Sequence, residues 1–287
     1  MVFWGVYIKR GAVSLPVKVF LVNLFFFAAW YFIGAVVLRW WFSAKSGSDR
    51  FHPRKIFPEN VSKRQLRRES GYSAVTVLLL GLSWMVVWTM DRLRWNQFYW
   101  DITEHSILWL VSSIALTVLL WDAWFYWTHR LMHTKLLFRV FHRTHHRSRI
   151  TNAMTGYSLD IPEALVYVVF LPLVALLYPM HPVSMMAFMV INLAGNFVIH
   201  SGHEFMPAGF GRTRWCRWLN TSTAHAMHHH DNAGNYGYFL MFWDRVMGTC
   251  HPDYDARMLA RCENQHSDPQ NEFIVESTGL LGDNSKV

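Results

Sequence analysis

Long apolar runs separated by polar, charged stretches dominate the pattern of the chain. The first, residues 19–38, is an uncharged run of twenty residues rich in Phe, Leu and Val. About 20 such residues are needed to cross the hydrocarbon core of a bilayer as a helix. A secretory signal peptide instead has a shorter apolar core followed by a cleavage site with small residues. The run therefore predicts a membrane anchor that is kept in the mature protein.

Four more apolar runs follow the first, at 73–90, 106–127, 164–178 and 183–199. The last two are short, and Pro179 and Pro182 between them predict a break in the helix. They are compatible with a spanning hairpin or with a shallow re-entrant one. The pattern predicts an all-α integral membrane protein with four to five membrane helices and a histidine-rich helical cap.

The segment 39–72 concentrates Lys and Arg between the first two runs. Basic loops are held on the cytoplasmic side of a membrane, so we expect this segment to be cytoplasmic. Counting spans from there returns the chain to the cytoplasm after 106–127 and again after 183–199. This orientation puts the amino terminus outside although it carries basic residues. We expect the larger number of basic residues in 39–72 to determine the orientation. The histidine clusters described below then share the cytoplasmic face.

Composition supports a membrane protein and excludes several other classes. The chain is 52% hydrophobic and only 16% charged, which is too apolar for an ordinary soluble domain. Its net charge of +8 lies between apolar runs, a pattern that fits an anionic membrane surface and not nucleic acid. The three cysteines lack a CxxC pair and are interpreted as free thiols. We expect a bacterial inner-membrane protein, or an endoplasmic-reticulum protein in a eukaryote.

The candidate chemistry lies in three groups of histidines. Positions three and four apart share a helix face, and imidazole is the commonest metal ligand in proteins. A single such pair would suit a solvated basic face, whereas repeated spaced groups favour a metal site. Two of the groups repeat the spacing His-x2-His-His. The histidines are His129 and His133, then His142, His145 and His146, then His225, His228 and His229.

Adjacent histidines predict two metal ions. Consecutive side chains on a helix point about 100° apart, so His145 and His146 can serve different ions, as can His228 and His229. Neutral nitrogen ligands suit iron, and such a shell can support oxygen chemistry. Zinc competes for these sites on affinity alone and can occupy them in purified protein.

Two other functional classes predict different patterns. A metal transporter or storage protein would place its ligands inside the spans, because the ion must cross the middle of the bilayer. Here the histidines collect at the ends of the apolar runs. A membrane zinc hydrolase would use fewer histidines together with a catalytic carboxylate and an open zinc position.

The motifs resemble those of the fatty acid hydroxylase / sterol desaturase superfamily. The resemblance covers residues 122–249, and the amino-terminal third matches only in being apolar. It is carried by the order and spacing of the histidine groups and by the segments around them. These segments are Asp122–His133, His142–His146, His200-Ser-Gly, His225–His229, Asn235-Tyr-Gly237 and Trp243–Thr249.

The resemblance implies a non-haem di-iron centre that uses O2 to hydroxylate or desaturate a C–H bond of a lipid. Electrons would come from a separate reductase, cytochrome or ferredoxin carrier. The eight histidines above are the implied ligands, and His200 matches a further ligand position. The family has a histidine four residues before that position, where this chain has Asn196, so Asn196, His203 or water could replace it. His230 is another candidate, as a ligand or in a redox path.

Three acidic residues are candidates for orienting the ligands. Asp122 lies seven residues before His129 on a similar helix face, and buried acids in membrane helices are usually functional. Asp231 and Glu204 are next to histidine groups. Sterol-type members often read His-Pro-x-Glu where this chain has Asp160-Ile-Pro-Glu163, which argues against assuming a sterol substrate. We expect a single membrane domain over 1–262 and a flexible tail over 263–287.

Overall fold

The computed structural model describes residues 15–45, 54–207 and 209–264. These residues form eleven α-helices and contain isolated β-bridges but no β-strand. A single π turn, Phe138–His142, lies between the fourth and fifth helices. The helices are α1 Leu15–Lys45, α2 Lys63–Arg92, α3 Ile107–Met132, α4 Lys135–Leu137, α5 Arg143–His146, α6 Ile161–Val168, α7 Phe170–Leu177, α8 Pro182–His200, α9 Ser222–Asp231, α10 Phe242–Val246 and α11 Tyr254–Asn264.

Four of these helices, α1, α2, α3 and α8, are long and apolar enough to cross a membrane. The predicted all-α fold is therefore confirmed, with four candidate membrane helices among the described residues. The run predicted at 164–178 is not one helix, because it divides into the short helices α6 and α7. Half of the segment predicted as a basic loop over 39–72 is helical, since α1 continues to Lys45 and α2 begins at Lys63.

Proline chemistry explains the division between α6 and α7. Pro172 has no N–H group and cannot bond the carbonyl four residues earlier, at Val168. The hydroxyl of Ser83 on α2 donates to that Val168 oxygen at 2.5 Å. A neighbouring helix thus satisfies a carbonyl that would be unpaired in the apolar interior, and it ties α6 and α7 to α2.

Side-chain caps set where several helices begin. The hydroxyls of Ser62 and Ser106 accept from the backbone N–H of Gln65 and Trp109, so α2 and α3 start at defined residues. Ser62 starts α2 ten residues before the apolar run, because the basic residues that follow it are compatible with a helix. The boundary of an apolar run is therefore not the boundary of its helix.

The packed interior and the outer surface of the bundle are both apolar. Helix α1 packs on α2, α3 packs on α8, and α7 contacts both α2 and α3. The outward face of α1 leaves Phe25, Ile33 and Trp40 more than 60% exposed. Such a surface suits hydrocarbon and not water, which supports an integral membrane protein.

The carboxyl-terminal ends of α3 and α8 meet at one end of the bundle. The loop segments that follow these two helices cover that end. A β-bridge between Lys55 and His203 lies at this end, and a bridge between Phe98 and Met180 lies at the other. The short helices α4, α5 and α9 complete the covered end. The predicted tail falls almost wholly on residues outside the described ranges, and the single-domain boundary 1–262 stays a prediction.

Candidate metal centre

Nine histidines from five parts of the chain converge at the covered end of the bundle. They form two groups, and within each group one possible ligand nitrogen per residue lies within 4.8 Å of all the others. The nine are the same histidines that the sequence singles out as principal ligands. The first group is His129, His133, His142, His146 and His228, and the second group is His145, His200, His225 and His229.

Neighbours in the chain belong to different groups. His146 lies in the first group and His145 in the second, and the same holds for His228 and His229. The imidazole rings of each consecutive pair lie 5.8 Å apart and nearly perpendicular. The rotation of about 100° per helical residue produces this alternation. The two groups are thereby built on shared turns of backbone.

Backbone carbonyls orient three histidines of the two groups. Nδ1 of His129 lies 2.9 Å from the Tyr236 oxygen, and Nδ1 of His228 lies 2.6 Å from the Gly234 oxygen. In the second group, Nδ1 of His200 lies 2.9 Å from the Asn196 oxygen. A carbonyl can only accept, so Nδ1 carries the proton in each ring and Nε2 presents its lone pair.

Buried nitrogens without a hydrogen-bond partner fit a metal ion. Among the described residues, Nε2 is unpartnered in all five histidines of the first group. In the second group, His145, His225 and His229 each have an unpartnered nitrogen. A buried polar atom without a partner is costly, and metal coordination would satisfy these atoms together. The donor set, which is all imidazole, suits iron or zinc.

Electrostatics keep the rings in the neutral form that binds a metal. Burial, and then repulsion from neighbouring histidines, lowers the pKa of these side chains well below its usual value. Protonation of one ring would put a charge in a closed space without an aqueous shell. Neutral imidazole is the ligand form, so the pKa shifts favour metal binding. The six shifted side chains outside the membrane helices are His142, His145, His146, His225, His228 and His229.

His142 is oriented by a carboxylate that the sequence did not identify as a partner of a ligand histidine. Nδ1 of His142 lies 2.6 Å from Oε1 of Glu163, and both side chains are 1% exposed. A carboxylate bonded to the second nitrogen of a ligating histidine fixes its ring and increases its basicity. In the sequence, Glu163 belongs to the segment Asp160–Glu163, which departs from the sterol-type motif His-Pro-x-Glu. Its position at the first turn of α6, directly after Pro162, was the available signal.

The segment after α9 forms a scaffold for the carbonyls that hold His129 and His228. The Asp244 carboxylate accepts from the backbone N–H of Tyr236 and Gly237. The side chain of Asn235, which has φ +53°, donates to the Ala224 oxygen. These bonds explain why an Asn-Tyr-Gly turn and a distant Asp occur together in the motif.

Two of the acidic candidates bind backbone and not histidine. Asp122 accepts from the N–H groups of Phe239 and Leu240, at 2.8 and 3.0 Å. Glu204 accepts from both the N–H and the hydroxyl of Thr223 at the start of α9. The prediction that these two residues orient ligand rings is therefore replaced by a role in holding the backbone around the histidines. Asp122 ties the loop at Phe239 and Leu240 to α3, and Glu204 ties the segment after α8 to α9. Helical periodicity alone could not reveal these contacts.

The remaining candidates lie around the two groups. Nδ1 of His230 lies 2.6 Å from a carboxylate oxygen of Asp231 on the surface, and Asp231 also contacts His251 at 3.0 Å. His203 stacks on Phe42 with ring centroids 4.0 Å apart. The Asn196 side chain points to the Gly156 carbonyl, 3.4 Å away, while its own carbonyl holds His200. Among the described residues, none of these four belongs to either group.

A narrow apolar cavity of about 70 Å³ adjoins the second group. His145 and His200 line one end, and Phe188 and Met189 on α8 line the other. His200 lies twelve residues after Phe188, which corresponds to roughly 18 Å along the helix. Trp121 from α3 and residues of α2, α6 and α7 complete the wall. The cavity thus connects the second group with the apolar interior of the bundle.

Comparison with known proteins identifies the same region. Residues 114–249 match the family described as fatty acid hydroxylase. The chain is 23% identical over 193 residues to a lathosterol oxidase from Rattus norvegicus, covering 66% of this chain and 63% of that protein. It is 28% identical over 159 residues to a cholesterol 25-hydroxylase from Rattus norvegicus, covering 54% and 52%.

A third relative extends the match along the chain. This is a Delta(7)-sterol 5(6)-desaturase from Leptosphaeria maculans, 24% identical over 231 residues, covering 75% of this chain and 57% of that protein. The matched segments thus span less than two thirds of the length of each of these relatives. No solved structure matches. The family match over residues 114–249 and the named relatives support the assignment of this chain to the fatty acid hydroxylase / sterol desaturase superfamily.

Proposed function

We propose that the chain is a membrane-bound di-iron oxygenase that hydroxylates or desaturates a C–H bond of a lipid with O2. One observation carries this proposal. Of two neighbouring groups of histidines, eight of them buried, the second adjoins an apolar cavity that continues between membrane helices. Ligands for redox metals and a space for a hydrocarbon chain are thus next to each other. Similarity to proteins named as a lathosterol oxidase, a cholesterol 25-hydroxylase and a sterol desaturase supports it.

The proposed division of ligands follows the geometry. The first group would hold one ion with five imidazoles and the second group would hold the other with four. Water, or the Asn196 or His203 side chain after a local movement, would complete the ligands of the ion in the second group. When bound, two iron ions would supply the chemistry that activates dioxygen.

Protein groups around the centre would position the substrate and exclude water. The apolar wall of the cavity takes an acyl or isoprenoid chain out of the bilayer and holds one carbon near His145 and His200. Holding the reacting carbon in place raises the rate by removing translational freedom. Burial of the histidines keeps bulk water away from reactive species. The position of the chain in the cavity would decide which carbon reacts.

Both possible reactions need external electrons. Hydroxylation converts a C–H bond and one O2, with two electrons and two protons, into an alcohol and one water. Desaturation takes the same electrons and protons, removes two hydrogens from adjacent carbons and forms two waters. In this proposal a separate reduced carrier, such as a cytochrome or a ferredoxin, delivers them on the cytoplasmic face.

Comparative lipidomics of cells with and without the chain tests the proposal. We expect a lipid that gains one oxygen atom or loses two hydrogen atoms, in a manner that depends on O2 and iron. His145→Ala should abolish that product, and sterols belong among the lipids examined because the named relatives act on them. If the purified, iron-loaded and reduced protein consumes no O2 with any lipid extract, the proposal is wrong.

A further inference from the structure

The first group reaches the surface at one residue. His133 is half-buried, whereas the other eight histidines of the two groups are buried. It lies at the base of an open groove of about 660 Å³, the His133 groove, whose rim includes Lys135, Leu136 and Arg139. The apolar cavity is lined by histidines of the second group only. The two groups are thus approached from different sides.

The rim of the His133 groove is strongly basic. Lys135, Arg139, Arg143 and Arg147 recur at every fourth residue and are all exposed. From 129 to 159 the chain has six Lys and Arg residues and no Asp or Glu. Among the described residues, the four cations of this row form no ion pair with an acidic side chain. Their charge is therefore free to attract an anionic surface.

The nearest acidic groups do not neutralise this row. Asp160 is engaged by the backbone N–H and the hydroxyl of Thr144. Asp231, next to the groove residue Asn232, is paired with His230 and His251. The basic surface continues instead to the start of α2, where Arg64 and Arg68 line a hollow together with Arg147.

Exposed apolar side chains lie inside this basic border. Leu136 is 81% exposed and Val140 is 56% exposed. An apolar centre with a charged rim is typical of a protein–protein interface. Small interfaces of this kind are used by redox proteins that must dissociate quickly. Charge on the rim speeds association without creating a permanent complex.

We propose that the His133 groove and its basic rim form the docking site of an acidic, one-electron carrier protein. This inference rests on the proposed function, which requires two electrons per turnover from outside the chain. His133 provides the shortest path from the surface into the first group, because the other ligand candidates are covered by protein. The carrier would dock twice per turnover and be oxidised by one electron each time. The substrate would meanwhile occupy the separate apolar cavity.

Binding of a plant-type [2Fe–2S] ferredoxin, an acidic carrier, tests the assignment without turnover. The full chain would be loaded with zinc and placed in nanodiscs of phosphatidylcholine, and ferredoxin binding would be measured by biolayer interferometry. We expect binding that weakens with added salt and is about tenfold weaker or more in Lys135→Glu/Arg139→Glu. The cationic protein cytochrome c should not bind.

The matched control is Arg92→Glu/Arg94→Glu, which reverses two exposed charges at the opposite end of α2. It should change ferredoxin binding less than twofold. Equal weakening in the two double variants, or no binding to the unaltered protein, would overturn the assignment. Cytochrome c binding as tight as ferredoxin binding would do the same.

A spin label separates this docking site from a membrane-contact surface. A nitroxide at Leu136→Cys, with the three native cysteines replaced by serine, should be relaxed by a water-soluble nickel complex. Stronger relaxation by dissolved oxygen would place the rim in lipid and refute carrier docking. Dithionite supplies electrons without a carrier. If lipid product forms with dithionite while docking fails, only this inference falls. Absence of product with dithionite counts against the proposed function, on which this inference rests.

Discussion

At the scale of single residues, the carboxylate of Glu163 directly contacts His142, a histidine of the first group. Burial raises the pKa of Glu163 well above its usual value, and the positive charge of a bound metal ion would favour the ionised form. An ionised carboxylate can only accept, so it would keep the proton of His142 on Nδ1 and turn Nε2 towards the first group. Its charge would also make the imidazole a stronger donor to a metal. The carboxylate therefore sets both the orientation and the basicity of one ligand.

Replacing Glu163 with Gln should weaken metal binding at the first group. The amide keeps the shape but loses the charge, so we expect an affinity about 10- to 100-fold lower. Competition with a chelator of known affinity measures this change. Glu59→Gln, at an exposed site, is the control and should leave affinity unchanged. Unaltered affinity in Glu163→Gln would show that the carboxylate has no influence on the metal.

Substitution of adjacent histidines should remove different ions. His146 belongs to the first group and His145 to the second, so each Ala variant should lower the metal content from about two ions to about one per chain. Spectroscopy should then differ between the variants, because the remaining ion has five imidazoles in one case and four in the other. Elemental analysis measures the content, with His105→Ala as control. Loss of both ions from each variant would contradict independent groups.

The candidate ligands could be predicted from the sequence because their spacing encodes their direction. His145 and His146 must diverge on any helix, and they do. The acidic residues could not be assigned in this way. Asp122 lies on the same side of α3 as His129, but a loop 117 residues away supplies the N–H groups that it binds. Such a partner depends on tertiary structure that no local pattern contains.

At the scale of elements, a close contact sets the distance between α8 and the segment before α6. A Cβ atom at Gly156 would lie 1.8 Å from Oδ1 of Asn196. Glycine lets the segment approach α8 at the turn that ends in His200. The same segment is bound to α2 through Glu69, whose carboxylate accepts from Asn152 and Thr155. The position of the second group thus depends on a small residue outside it.

Gly156→Ala should therefore destabilise the protein. Overpacking of this kind costs about 1–3 kcal/mol, and thermal unfolding in detergent should show a lower Tm. Gly71→Ala on α2 is the matched control, because nothing lies within 4 Å of its added Cβ. Adding Asn196→Ala should restore part of the lost stability by removing the contacting amide. An unchanged Tm in Gly156→Ala would show that the contact is not restrictive.

Met189→Trp should shorten the apolar cavity. Met189 lines its far end, 11 residues before His200 or roughly 16 Å of helix. We expect long-chain substrates to lose turnover by a larger factor than short ones, measured as product from a series of chain lengths. Val190→Trp adds the same bulk to an outward-facing position, 44% exposed, and should not change the profile. Parallel losses at both positions would argue against this cavity as the substrate site.

The elements themselves were only partly predictable. Length and hydropathy identified α1, α2, α3 and α8, since a membrane helix must be long and apolar. The same criteria could not place the start of α2, which Ser62 sets within a polar segment. They also joined α6 to α7, because Pro172 is a small interruption in an apolar run. Its effect depends on Ser83, a residue of another helix.

At the scale of the whole molecule, the polar loops lie at two opposite ends. The turn after α2 and the histidine-bearing segments are separated by the length of the helices. In a membrane these ends face different compartments, and the basic composition of the histidine end predicts that it is cytoplasmic.

Labelling of single cysteines in intact bacterial spheroplasts tests this orientation. In a chain whose native cysteines are replaced by serine, Glu104→Cys should react with a membrane-impermeant maleimide before lysis. Lys135→Cys should react only after lysis, because it lies at the histidine end. Both positions are exposed, so accessibility within the fold does not distinguish them. The reverse order of labelling would invert the orientation.

The separate approaches to the two histidine groups have a consequence for inhibition. A molecule with an alkyl tail and a metal-binding head group can reach only the second group through the apolar cavity, where it competes with lipid. A small hydrophilic chelator has access only to the first group, through the opening at His133. The two kinds of inhibitor would occupy the protein together. The binding free energies of the two inhibitors would then add, and neither would compete with the other. The protein would thus have two independent sites for inhibition.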